Sequence, residues 1–196
     1  MIILGLDIST ANIGICVLKD DELIYAEGLH MSKIKGLFAK AEHLRNTLDN
    51  LHKYLQGKKI KIDAIVVEQS LQAFRRSMSS ASTIATLNRF NGIVSYIARR
   101  RFHVPLYQVN AVSARKKIGL SVNKKSTLNT KDQVLAWVKQ KSPMDQFDWP
   151  TKVLKGGPNK GKTVDQVFCY DIADAFVVAC WGVQYLKKDM LDINNV

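Results

Sequence analysis

Apolar positions along the chain fall into two periods, and the order in which those periods alternate outlines the fold. Residues 2–7 (Ile-Ile-Leu-Gly-Leu-Asp) and 13–18 (Ile-Gly-Ile-Cys-Val-Leu) are short apolar runs, the signature of buried strands. Asp20-Asp21 marks a turn, and 23–29 reads as a third strand, so the chain opens as an antiparallel meander. The period then changes. From about Ser32 to Leu55, Ile34, Leu37, Phe38, Ala41, Leu44, Leu48, Leu51 and Leu55 recur at three or four, which predicts an amphipathic helix. Residues 64–68 (Ala-Ile-Val-Val-Glu) form a fourth strand, Ser79 to about Arg100 a long helix, and 104–109 a fifth strand. Short helices are predicted near 113–118 and 131–140, and a last one over 167–186.

The predicted fold is therefore α/β: a mixed five-stranded sheet, three antiparallel strands followed by parallel ones, flanked by helices. A short crossover puts strand four beside strand one. Their C-terminal ends then meet at mid-sheet, where open α/β sheets build their sites. Each of those ends carries a carboxylate, Asp7 and Glu68.

Composition narrows the class. A chain of 196 residues, 46% hydrophobic and 23% charged, is one globular domain and not a disordered chain. No apolar run approaches the ~18 residues of a membrane span, and the N-terminus lacks the basic segment of a signal peptide. Three widely spaced cysteines, Cys16, Cys169 and Cys180, sit in apolar runs without metal-type spacing, so an intracellular, reducing cytoplasm is expected. The formal charge is +12, which points to a polyanionic partner, nucleic acid first. Residues 111–162 hold twelve basic and three acidic groups, so a basic insertion around 119–166 is expected within a single 1–196 domain. Its Gly156–Lys162 stretch reads as a mobile basic loop.

Asp171 and Asp174 lie three apart at the start of the last helix and can share one face. Taken alone, they also suit the positive end of a helix dipole. Asp7 and Glu68 end buried strands, where an ionised group is costly unless compensated. Four carboxylates drawn together oppose one another's ionisation, and a divalent cation resolves that conflict. All-oxygen ligands select hard ions, Mg²⁺ or Mn²⁺, and two ions per site suit phosphodiester hydrolysis. The four histidines, His30, His43, His52 and His103, have no metal-ligand spacing and read as solvated or core residues.

Motif by motif, the chain resembles the RuvC-type Holliday junction resolvases, of the RNase H-like fold. Ile3-Leu4-Gly5-Leu6-Asp7 is similar to the family's first strand and its metal aspartate, and Glu68-Gln69 to its Glu-Gln pair. Residues 87–93 resemble the following helix with its glycine. Lys116-Lys117 and Lys131-Asp132-Gln133-Val134 resemble a basic loop and the next helix start. Asp171-Ile172-Ala173-Asp174-Ala175 is close to the family's Asp-Ala-Ala-Asp-Ala. The resemblance implies a homodimer that binds four-way junction DNA and cuts two strands symmetrically, with no small-molecule cofactor. It implies metal-ligand roles for Asp7, Glu68, Asp171 and Asp174, and places Lys117 and Lys131 near the scissile phosphate. General phosphate docking is the other reading of those lysines.

Two features depart from the family. Ser70-Leu71 stands where the family often carries Val-Phe, which leaves Phe74 as a candidate stacking residue or a core or dimer-interface aromatic. The stretch 142–166 is longer than expected. Ile84, Leu87, Val94 and Ile97 form an apolar stripe suited to the core or to a dimer contact. A nuclease for other branched DNA or RNA–DNA hybrids is the alternative within the fold. A junction-binding protein that does not cut would not need four carboxylates. Residues 5–10 are also similar to the phosphate-binding hairpin of sugar-kinase and actin-like ATPases, but 196 residues leave little room for their second domain.

Overall fold

Alternation along the strands decides which way each face of the sheet packs. The structure is a computed structural model that describes residues 1–69 and 81–193, with side chains as far as Leu186 in the last helix. Strands β1 (Ile2–Ile8), β2 (Asn12–Lys19), β3 (Glu22–His30), β4 (Ala64–Glu68) and β5 (Leu106–Val109) form one sheet in the order β3-β2-β1-β4-β5. The β1–β2 and β2–β3 pairings are antiparallel, and β1–β4 and β4–β5 are parallel. This is the mixed sheet expected from the sequence, with strand four beside strand one.

On β1, Leu4, Leu6 and Ile8 face α1 (Leu37–Gly57) and α2 (Ala81–Phe102), against Leu44, Leu48, Phe90 and Val94. Ile3 faces the other way, with Cys16, Leu18 and Val66, toward α3 (Ala111–Lys117), α4 (Thr130–Lys139) and α5 (Cys169–Ile193). A side-chain period of two then carries Asp7, Glu68 and Asn12 to the α5 side.

Helix α5 is buried on every side from Asp171 through Ala179, because it runs between the sheet and the α3–α4 layer. Its backbone lies almost on the strands. A Cβ on Gly14 would stand 1.8 Å from the Asp171 carbonyl oxygen, and one on Gly5 2.4 Å from that of Ala175. Only glycine permits this approach.

Several boundaries differ from expectation. Helix α1 begins at Leu37, after Gly36 with φ of 84°, and not at Ser32. Phe38 is 82% exposed because it lies about 100° round the helix from the Leu37–Ala41–Leu44 stripe. On α2 the buried residues are Phe90, Asn91, Val94 and Ala98, while Ile84, Leu87 and Ile97 of the expected stripe are only half-buried. The expected start at Ser79 lies outside the described residues. The basic loop expected at 156–162 is the turn of a hairpin, β6 (Thr151–Val153) with β7 (Thr163–Asp165). Gly157 and Gly161 take φ of 75° and 87° there, which lets the ladder continue from Leu154 to Lys162. No helix among the described residues is long and apolar enough to cross a membrane.

Candidate active site

Pairing of Leu6 with Val67 sets Asp7, next to last in β1, beside Glu68, the last residue of β4. The β4 end is held from two sides. The buried Asn91 side-chain amide donates to the Glu68 carbonyl at 3.2 Å, and the Gln69 N–H donates to the Val109 carbonyl at 2.8 Å. From α5, Asp171 and Asp174 are both buried and share a helix face. The close approach at Gly14 brings that face against β1 and β2.

The carboxylates feel one another. Burial pushes the Asp7 carboxyl well above its ordinary value, and Glu68, Asp174 and Asp171 raise it further. Glu68 is pushed up to about 7, by burial first and by Asp174 next. Burial raises Asp171 to about 6, with the Lys131 charge opposing it. Lys131, the second residue of α4, acts in the same sense on Asp7 and Glu68. It is set there by two bonds of its neighbour Asp132. Asn129 caps α4 by accepting from the Asp132 N–H at 3.0 Å, and the Tyr170 hydroxyl donates to the Asp132 carboxylate at 2.7 Å.

A second cation comes from a residue that the sequence reading passed over. The Arg115 guanidinium donates to Asp174 at 2.8 Å in a largely buried ion pair, and it also opposes the rise of Glu68. Lys117 is elsewhere: its ammonium lies 5.9 Å from the Tyr185 ring centre, eleven residues along α5 from Asp174 and about 16 Å at ~1.5 Å per residue. The Arg115-Lys116-Lys117 triplet was the available signal, but only the phase of α3 selects which member turns inward. Asn12, also unanticipated, is buried, and its side-chain amide opposes the rise of the Asp171 carboxyl. Its Oδ1 lies 2.7 Å from Nδ1 of the exposed His30, so that histidine is neither a core residue nor simply solvated. Phe74 lies outside the described residues.

Does this set suit a divalent cation? The donors are all carboxylate oxygens, and protonation of Asp7, Glu68 and Asp171 is favoured because they are buried and crowded by like charge, a conflict that a hard cation relieves. The spacing is open, however. Among the described residues, no three His, Cys, Asp or Glu side chains are gathered closely enough to enclose an ion, and Asp174 gives one oxygen to Arg115. The chemistry of the donors fits a metal ion without presenting a closed cage.

No protein-family model matches the sequence, and no curated protein matches it. Solved structures do. RuvC of Thermus thermophilus superposes with a TM-score of 0.60, covering 96% of this chain and 97% of that one at 16% identity. The fold is that of RuvC. The same Thermus protein in complex with a Holliday junction substrate gives 0.61 at 17% identity, with 96% of each chain covered. The yeast mitochondrial Holliday junction resolvase gives 0.50 at 16% identity, over 95% of this chain and 79% of that one. At such identities the likeness to RuvC is one of architecture, and the chemistry has to be argued from this chain's own residues.

Proposed function

We propose that this protein is an endodeoxyribonuclease that resolves four-way (Holliday) DNA junctions by divalent-metal-dependent phosphodiester hydrolysis, leaving paired symmetric nicks. The observation that carries the reading is the shared field of Asp7, Glu68, Asp171 and Asp174 on the α5 side of the sheet, with Arg115 and Lys131 at its edge. The RuvC architecture, one example of which was solved on junction DNA, supports the choice of substrate.

In this reading Asp7, Glu68, Asp171 and Asp174 hold Mg²⁺ or Mn²⁺, two ions per site. Bound there, the ions supply an activated water and stabilise the leaving oxygen. The protein does the rest. Asn91 fixes the strand end that bears Glu68, and Asn12 orients Asp171. Lys131 and Arg115 offer positive charge where the phosphate gains negative charge. Lys117, out at Tyr185, docks backbone phosphate away from the cut. A four-way junction has two-fold symmetry, so a homodimer presents one site to each of two strands. The three free cysteines agree with a reducing intracellular compartment.

The test is cleavage of a synthetic four-way junction, a flap, an RNA–DNA hybrid and a linear duplex, with and without Mg²⁺, with products mapped on both strand pairs. Metal-dependent paired nicks on the junction are expected. Asp7→Asn is expected to lower cleavage by more than about a hundredfold while retaining junction binding. Preference for flap or hybrid would favour the alternative branched-DNA or hybrid nuclease. Equal cleavage of linear duplex, or cutting that ignores metal, would end the junction reading.

A further inference from the structure

The β6–β7 hairpin is not accounted for by catalysis or by the core. From Thr151 to Val164 it carries Lys152, Lys155, Lys160 and Lys162 and no acidic residue. All four lysines are exposed, and so is Val153, at 58%. A two-stranded ribbon that buries so little is marginal in water by itself. Among the described residues, the bonds that anchor this one gather at its root. Trp149 packs edge-on to Phe147 at 5.1 Å, and its indole N–H donates to the Met144 carbonyl at 3.2 Å. The Gln166 N–H donates to the Pro150 carbonyl at 2.9 Å. Asp165, the acid at the base, is neutralised by Lys139 at 2.7 Å. The root also joins the active site, because Cys169, whose thiol donates to the same Pro150 carbonyl at 3.2 Å, is two residues from Asp171.

We infer that this hairpin is an arm that grips the phosphate backbone of the duplex flanking the cut, an inference that rests on the junction-nuclease reading above. Its paired part runs from Thr151 to Leu154 on one side and from Lys162 to Asp165 on the other, and Lys155 and Lys160 lie in the turn between them. A two-stranded ribbon has the width to follow a groove, and lysines at intervals along it match a repeating array of phosphates. Lysines also guard sheet edges against pairing between copies. That role alone leaves DNA affinity untouched, so the two are separable.

The experiment compares the full-length protein with a K152A/K155A/K160A/K162A variant and a fourfold Lys→Arg variant. Binding is measured by titration on a four-way junction over a range of salt, in Ca²⁺ to prevent cutting. The alanine variant is expected to keep the parent melting temperature and to bind at least about tenfold more weakly at 0.1 M salt. Its log–log salt slope should be shallower by about 0.9 for every lysine that meets a phosphate. The arginine variant should bind like the parent. Equal affinity and slope for parent and alanine variant would overturn the inference. If the parent itself does not bind branched DNA, the functional reading fails instead. A lowered melting temperature with affinity restored by arginine still supports the arm, and one that arginine does not restore counts against it.

Discussion

A carboxyl with its pKa raised to about 7 makes Glu68 a liability in the ion-free protein. The sign follows from linkage. Below the unfolded value of 4.5 both states hold the proton, and Glu68 costs nothing. As pH rises, the unfolded chain releases the proton first, and the penalty is complete above about 7. Asp171, raised from 3.8 to about 6, adds to it over a slightly lower window. Without divalent ions the protein should therefore lose stability from about pH 4 to pH 7. Glu68→Gln should raise stability at pH 8 by about 2–3 kcal/mol and change it little at pH 4, as read by urea denaturation. Added Mg²⁺ should narrow the gap by stabilising the parent. Arg115 works in the opposite sense, since it neutralises a buried Asp174. Arg115→Ala should destabilise the ion-free protein at pH 8 by about 3 kcal/mol, and by less at pH 5, where Glu68 and Asp171 are largely protonated. A loss independent of pH would mean that its packing matters more than its charge.

Elements show why some of the architecture was legible and some was not. Crossover handedness is a local rule, so the ends of strands one and four, with Asp7 and Glu68, could be set side by side from the sequence alone. The α1 stripe at Ala41, Leu44, Leu48, Leu51 and Leu55 was equally plain and is buried as expected. Phe38 was misread because a three-or-four spacing tolerates a neighbour that lies a quarter-turn off the stripe. The hairpin was missed because its strands are three residues long and carry no apolar alternation, β6 being exposed throughout and β7 only half-buried at Val164 and Asp165. The glycines were visible as residues but not as contacts. Gly14 is the sharpest case, where a methyl group would collide with the first turn of α5. Gly14→Ala should cost about 3 kcal/mol or more. It should also disturb the Asp171 position, so that calorimetrically measured Mg²⁺ binding falls even at temperatures where the variant remains folded. Unchanged ion affinity would show that the β2–α5 contact does not set the site.

At the scale of the molecule, charge is segregated. Asp7, Glu68, Asp171 and Asp174 gather on the α5 side of the sheet, while residues 111–162 carry twelve of the chain's basic groups, of which Arg115 and Lys131 act on those carboxylates. On the proposed function, such an arrangement draws in a polyanion and reserves the central acids for cations. Junction affinity should fall linearly with log salt, with a slope of about −0.9 per phosphate neutralised, measured by titration between low and physiological salt. A flat response would contradict electrostatic docking. The sequence by itself determined the order of strands and helices along the chain, the strand ends that carry Asp7 and Glu68, the helical pairing of Asp171 with Asp174 and the basic balance, because each depends on local periodicity or on composition. Only the tertiary structure decided that Arg115 and not Lys117 meets the carboxylates, that Asn12 lies beside Asp171, how far the Glu68 and Asp171 carboxyls are raised, and that residues 151–165 form a hairpin. Those outcomes depend on the rotational phase and separation of elements far apart in the chain, which close packing against Gly5 and Gly14 sets and no local pattern encodes.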